Sequence, residues 1–64
     1  MYLIYAKHRS DNKFRPMDMT LGCPTSKLMY ATMYDEKDKD KLDSLVRELS
    51  NENKDWSFEL RKHN

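Results

Sequence analysis

Cys23, His8 and His63 are the only cysteine and histidines of this chain, and such side chains act as nucleophiles, general bases and metal ligands. The two histidines lie far apart in the sequence, and no second cysteine stands at metal-ligand spacing. No Gly-rich phosphate loop or oxyanion motif is present, since the chain has one glycine. The sequence therefore predicts no catalytic residue, no metal site and no cofactor, and we expect a protein that is not an enzyme.

Composition narrows the class of protein further. The 64 residues include 12 Lys+Arg and 11 Asp+Glu, and this length predicts one small domain over residues 1–64. A net charge of +1 is too small for nucleic-acid binding by charge alone. Mean hydropathy is −1.05 and no apolar run approaches the length of a membrane span. The lone Cys23 cannot form an intramolecular disulfide, so we expect a reducing compartment, the cytoplasm.

The elements follow from hydrophobic periodicity and chain breaks. Aromatic and branched residues over 2–8 predict a first strand, which ends at a Ser-Asp-Asn turn. Pro16 makes residues 13–21 an edge strand or an ordered loop, because proline lacks the ladder donor. After a break at residues 22–26, the composition of residues 27–34 predicts another strand.

The helix and the last strand have the clearest patterns. Leucine or valine at positions 42, 45, 46 and 49 forms one helical stripe, which predicts a helix over about 36–52. Asp35 can cap its first turn, and Asn51 or Asn53 can end it in the left-handed conformation. Trp56, Phe58 and then Leu60 alternate with polar residues, as in a strand with one buried face.

The order β-β-β-α-β predicts an α/β (α+β) two-layer sandwich. In it, a small three- to four-stranded mixed sheet has one helix on one face. Because the helix joins the third strand to the last, we expect these two strands to run parallel.

The two faces of the sheet differ in character. Residues 3–6 and 28–31 share the pattern Leu-aliphatic-Tyr-Ala, which suggests equivalent strands. The helix should cover the alanine face, which leaves tyrosines on the open face. Tyrosine provides large contact area with a polar tip, so we predict a protein-binding or homodimer face. The candidate partner-binding residues are Leu3, Tyr5, Phe14, Arg15, Met17, Leu28, Tyr30 and Tyr34.

Two alternatives remain open for this face. Residues 13–21 could fold across it as an apolar lid, using Phe14, Met17, Met19 and Leu21. The tyrosines could instead stack on single-stranded nucleic acid, which is the alternative function. The phosphate contacts would then come from Lys7, Arg9, Lys13, Arg15 and Lys27.

Four segments carry a resemblance: YLIYAK at residues 2–7, FRPMD at 14–18, LMYAT at 28–32 and WSFELR at 56–61. Together they resemble short proteins encoded by bacterial phages and mobile elements. The resemblance implies a protein that binds and modulates a host or element-encoded complex. Inhibitors of host defence, including those of anti-CRISPR type, are one such class.

Overall fold

In a computed structural model, which describes residues 1–63, four strands and one α-helix follow one another along the chain. The elements are β1 (Tyr2–His8), β2 (Arg15–Asp18), β3 (Cys23–Pro24), α1 (Lys39–Glu52) and β4 (Trp56–Lys62). The sheet has the spatial order β3-β2-β1-β4. The predicted α+β class, the single helix and the order β-β-β-α-β are confirmed.

Every strand pair is antiparallel, so the expected mixed sheet is wrong. The third strand of the sheet, β3, runs opposite to β4, whereas Tyr34, at the end of the segment predicted as the third strand, is antiparallel to β1 as β4 is. β1 lies at the centre and pairs with β4 along its whole length, from Tyr2–Lys62 to His8–Trp56. The connection through the helix starts near Tyr34, which lies beside β1 and forms an isolated antiparallel bridge with Tyr2. The connection ends in β4, which pairs with β1 and is also antiparallel to it.

The predicted strand over residues 27–34 is wrong. Leu28–Tyr30 is a single 3-10 turn, in which the backbone N–H of Ala31 donates to the Leu28 carbonyl at 3.0 Å. The third strand is instead the two-residue β3, within the segment predicted as a break. A strand-like composition does not produce a strand there, because this part of the chain leaves the plane of the sheet to pass from one edge of β2 to the other.

The helix begins and ends close to the predicted residues. A 3-10 turn, Glu36–Asp38, precedes α1, and Asp35 caps it by accepting a hydrogen bond from the Lys37 backbone N–H. At the other end, the backbone N–H and the side-chain amide of Asn53 both donate to the Leu49 carbonyl, at 3.1 and 3.0 Å. Asn53 is extended rather than left-handed, so the helix ends at a predicted residue but without the predicted left-handed conformation.

One ion pair of α1 raises the pKa of a lysine side chain. The Lys39 ammonium donates to the Asp43 carboxylate at 3.1 Å, one turn along α1. This hydrogen bond and the attraction of the two charges raise the pKa of Lys39 above its usual value. Both side chains are exposed, so the pair mainly secures the first turn of the helix.

The core lies between the sheet and α1. Ile4, Ala6, Met17 and Leu42 are buried together, and Leu45 and Val46 of the helix pack against them. The three apolar residues of β4 predicted for this core, Trp56, Phe58 and Leu60, pack there too. The prediction that the alanine face of β1 meets the helix is therefore confirmed for Ile4 and Ala6.

The β2–β3 turn depends on Gly22. Its φ of 72° is in the left-handed region, and its N–H donates to the Asp18 carbonyl at 2.8 Å. The Asp18 carboxylate also accepts from the backbone N–H groups of Thr20 and Leu21. The turn thus needs a residue that adopts positive φ without strain.

Gly22→Ala is expected to lower the free energy of unfolding by about 1 kcal/mol. No atom lies within 4 Å of an added Cβ, so the loss comes from backbone strain rather than from a clash. Urea unfolding followed by circular dichroism measures it. Thr20→Ala in the same turn is the control and should change stability by less than about 0.5 kcal/mol. Equal stability of the two variants would contradict the left-handed turn.

Candidate partner-binding surface

The face of the sheet that points away from α1 is built by alternate residues of β1, β2 and β4. Leu3 lies opposite Arg61, and Tyr5 lies between Glu59 on β4 and Pro16 on β2. Residues directly opposite each other in antiparallel strands point to the same face. Since Ile4 and Ala6 point to the helix, all five of these side chains point to the other face.

Arg61 organises the aromatic side chains of this face. Its guanidinium carbon lies 4.3 Å from the Tyr5 ring centroid and 5.4 Å from that of Phe14. The Glu59 carboxylate accepts a hydrogen bond from Arg61 Nε at 2.9 Å and a second from Nη2. Both hydrogen bonds end on the same carboxylate oxygen, Oε1, and together they hold the guanidinium over the rings. The result is a half-exposed cluster of two aromatic rings and one cation.

A stretch of chain crosses β2 on the same side. The Thr25 N–H donates to the Pro16 carbonyl at 2.8 Å on the β3 side of β2, whereas the Thr32 N–H donates to the Met17 carbonyl at 3.0 Å. Successive carbonyls of a strand point to opposite edges, so the chain passes from one edge of β2 to the other. Residues 26–31, which we call the crossing segment, make this passage.

We infer that the crossing segment lies on the face opposite the helix. None of its residues is among those that pack against the helix-side core or line the groove there. Leu3, on the far face and outside that core cluster, is nevertheless only 1% exposed. We assign this cover to the crossing segment, because α1 lies on the other side of the sheet.

The crossing segment exposes apolar side chains to solvent. Met29 is 78% exposed, Tyr30 58% and Leu28 39%. Together with the Tyr5, Phe14 and Arg61 cluster they form what we call the outer surface. Small monomers rarely expose neighbouring apolar side chains of this size without a binding role.

The structure brings together five of the eight sequence-predicted residues. Leu3, Tyr5 and Phe14 lie on the outer face of the sheet, and Leu28 and Tyr30 lie in the crossing segment, which we assign to the same face. Among them Leu3 is buried, so it supports the surface rather than forming part of it.

The other three predicted residues lie on the wrong side for this surface. Arg15 is opposite Ala6 and therefore faces the helix side, where its guanidinium bonds Asp11 at 3.2 Å. Met17 is buried in the core, and Tyr34 packs against that core. Tyr34 points there because its bridge partner, Tyr2, is on the same face of β1 as Ile4.

The predicted lid over residues 13–21 is also wrong. Most of this segment is β2 and its turn, within the sheet, and Met17 and Met19 belong to the helix-side core. Leu21 is exposed in the turn, and only Phe14 is on the outer face. Pro16 is accommodated next to the sheet margin, where its neighbour β3 is only two residues long.

Sequence reasoning missed Arg61 and Met29. The alternation in the last strand predicts only that Arg61 lies on its polar face, because its position over Tyr5 requires the β1–β4 register, which the sequence does not contain. A strand over residues 27–34 would place Met29 on the same face as Ala31, toward the helix, and so would not predict its exposure. Its neighbours in the chain, Ser26 and Lys27, were the only available sign of a loop.

A groove of about 260 Å³ opens on the helix side of the molecule. It lies between the β2–β3 turn, the last turn of α1 and the start of β4, and most of its lining is apolar. The lining residues are Met17, Met19, Gly22, Cys23, Pro24, Leu49, Asn53, Trp56 and Phe58.

His8 and Cys23 are separate from the outer surface. His8 contacts Ser10, with 2.7 Å between Nδ1 and Oγ, and its ring packs edge-on against Trp56. Cys23 is an exposed free thiol on β3. Among residues 1–63, no three His, Cys, Asp or Glu side chains converge on a point where they could hold a metal ion.

Comparison with known proteins adds no relative. A scan against protein-family models, a search of curated proteins and a search of solved structures found no match to this chain. Over the same 63 residues, α1 is too short and too polar to cross a membrane.

Proposed function

We propose that this protein is a small non-enzymatic binding module that recognises and modulates another protein through its outer surface. Two observations support the proposal: Leu28, Met29 and Tyr30 are exposed, and Tyr5, Phe14 and Arg61 form a cluster on the face to which we assign the crossing segment. Aromatic residues, methionine and arginine are the types enriched in protein interfaces. The resemblance to phage and mobile-element proteins implies a host or element-encoded complex as the target, a defence complex being one class.

The arrangement of charge and apolar surface supports a protein partner. The aromatic rings and the Arg61 guanidinium can occupy pockets of a partner, with Glu59 keeping the cation oriented before binding. A free thiol at Cys23 fits a reducing environment, and we propose the cytoplasm as the place of action.

Single-stranded nucleic acid is the weaker candidate for the same surface. A base would need the open face of the Tyr5 ring, but the Arg61 guanidinium already occupies one side of it at 4.3 Å. The Glu59 carboxylate beside it repels phosphate. Of the predicted phosphate contacts, Arg15 points to the helix side of the sheet.

The double substitution Met29→Ser with Tyr30→Ser is expected to weaken partner binding at least about tenfold, because exposed apolar anchors often contribute more than 1 kcal/mol each. The tagged chain is used to capture proteins from lysate of a bacterial host, and a protein captured in stoichiometric amount is then purified and titrated by calorimetry. Thermal unfolding of the variant should match that of the wild type, since both side chains are exposed.

Leu21→Ser is the matched control, because Leu21 is 75% exposed but lies outside the outer surface. It should bind as the wild type does. Equal affinity of the double variant would contradict a role for the outer surface. Salt-sensitive binding to a single-stranded oligonucleotide, lost in Arg9→Ala, would favour the nucleic-acid alternative.

A further inference from the structure

β4 is an edge strand, and within residues 1–63 its outward backbone groups have no partner except the Trp56 N–H, which donates to the Asn53 carbonyl at 3.1 Å. Beyond the strand ends, the His63 N–H donates to the Met1 carbonyl and the Arg9 N–H donates to the Asp55 carbonyl. The β4-side residues of these two bonds, Asp55 and His63, are both odd-numbered. Because every second residue pair of an antiparallel ladder is hydrogen-bonded, the odd-numbered residues of β4 are the ones that bond β1. The N–H and C=O groups of Phe58, Leu60 and Lys62 therefore point away from the sheet.

These groups make no hydrogen bond within residues 1–63, and the strand order has nothing beyond β4. An edge strand seven residues long with free backbone groups is a template for another strand. The helix contacts β4 from one face only, so it pairs with none of these groups.

The side chains of β4 select a second copy of the same strand as the partner. In an antiparallel pair centred on Leu60, Glu59 of one copy lies opposite Arg61 of the other, and the reverse pair is equivalent by symmetry. Phe58 then lies opposite Lys62, whose alkyl stem can cover the ring. Leu60 meets its own copy, and the bonded pairs fall on the residues whose backbone groups are free.

Neighbouring registers lack this complementarity. A pair centred on Glu59 sets two carboxylates opposite each other, and one centred on Arg61 sets two guanidinium groups opposite each other. A pair centred on Phe58 leaves Glu59 opposite Ser57. Only the register centred on Leu60 joins the Glu59–Arg61 pairs of both copies into one network of alternating charge.

We propose that two copies of this chain associate through β4 in the register centred on Leu60, forming one continuous eight-stranded antiparallel sheet from two four-stranded sheets. The outer surfaces of both copies then lie on the same side of the joined sheet. This association does not depend on the proposed function, because it uses the strand edge rather than the exposed crossing segment.

Charge exchange at the two facing positions tests the proposal. Sedimentation velocity of the full chain over a range of concentrations should show reversible dimerisation. Glu59→Arg alone and Arg61→Glu alone each set like charges opposite each other, and each should weaken dimerisation at least about tenfold. An equimolar mixture of the two variants should form a heterodimer, since every facing pair is then of opposite charge.

The chain carrying both substitutions should again form a homodimer, which controls for any loss of stability from removing Arg61 from the Tyr5 ring. Lys13→Glu, an exposed charge change away from β4, should dimerise as the wild type does. The Met29→Ser and Tyr30→Ser variant should dimerise normally even where partner binding is lost. A wild-type chain that stays monomeric at millimolar concentration, or a dimer indifferent to both single substitutions, would overturn the proposal.

Discussion

Ile4→Ala is expected to lower the free energy of unfolding by about 3 kcal/mol, the largest effect of any single truncation in this protein. Ile4 is 0% exposed at the centre of the sheet and is packed in one cluster with Ala6, Met17 and Leu42. Truncation leaves a cavity that strands on both sides of β1 cannot easily collapse into. A domain of this length has a total stability of roughly 3–10 kcal/mol, so much of the folded population is at risk.

Urea unfolding followed by Trp56 fluorescence measures this loss, because Trp56 packs against the same core. Ile4→Val, with an expected loss of about 1 kcal/mol, provides a measurable variant if Ile4→Ala is unfolded in water. Leu21→Ala is the exposed control and should stay within about 0.5 kcal/mol of the wild type. A loss at Ile4 no larger than at Leu21 would show that the helix does not cover this face.

Leu3→Ala is expected to lower the free energy of unfolding by about 2–3 kcal/mol, although no helix covers its face of the sheet. Its 1% exposure indicates close cover, which we assign to the crossing segment. Truncation should therefore also loosen that segment locally, in addition to its effect on global stability.

Limited trypsin digestion separates the local effect from the global one. Lys27 is exposed in the crossing segment, just before the 3-10 turn. In Leu3→Ala, cleavage after Lys27 should become faster than cleavage elsewhere, as measured by mass spectrometry of the fragments. The control is Ile4→Val or Ile4→Ala, digested at a urea concentration that gives it the same free energy of unfolding as Leu3→Ala. It should show no preferred cleavage after Lys27. The same cleavage pattern in both would mean that another part of the chain covers Leu3.

The two surfaces described here have different physical origins. The outer surface comes from side chains that the crossing segment exposes, and the β4 edge comes from backbone groups at the margin of the sheet. Substitutions at Met29 and Tyr30 should weaken partner binding and leave self-association unchanged. Single charge substitutions at Glu59 and Arg61 should weaken self-association. Arg61 belongs to both regions, since its guanidinium lies over Tyr5 and opposite its dimer partner.

Local sequence patterns were enough for the elements that depend on short-range order. The stripe of Leu42, Leu45 and Val46 predicts both the helix and the face that it buries, because a 3.6-residue period brings these residues together without any other part of the chain. Alternation in β4 and the apolar run of β1 act in the same way with a period of two. The orientation of Ile4 and Ala6 toward the helix followed from these patterns.

Only the tertiary structure decided which residues stand next to each other on the outer face. Residues 27–34 have the composition of a strand, but the chain must pass from one edge of β2 to the other, and that connection turns Leu28–Tyr30 into an exposed 3-10 turn. Tyr34 takes its face from its distant bridge partner, Tyr2. Arg61 reaches Tyr5 through a register between strands more than fifty residues apart. Strand pairing and chain crossing are long-range choices, and a local period specifies which face a residue shares with its neighbours but not which strand lies beside it.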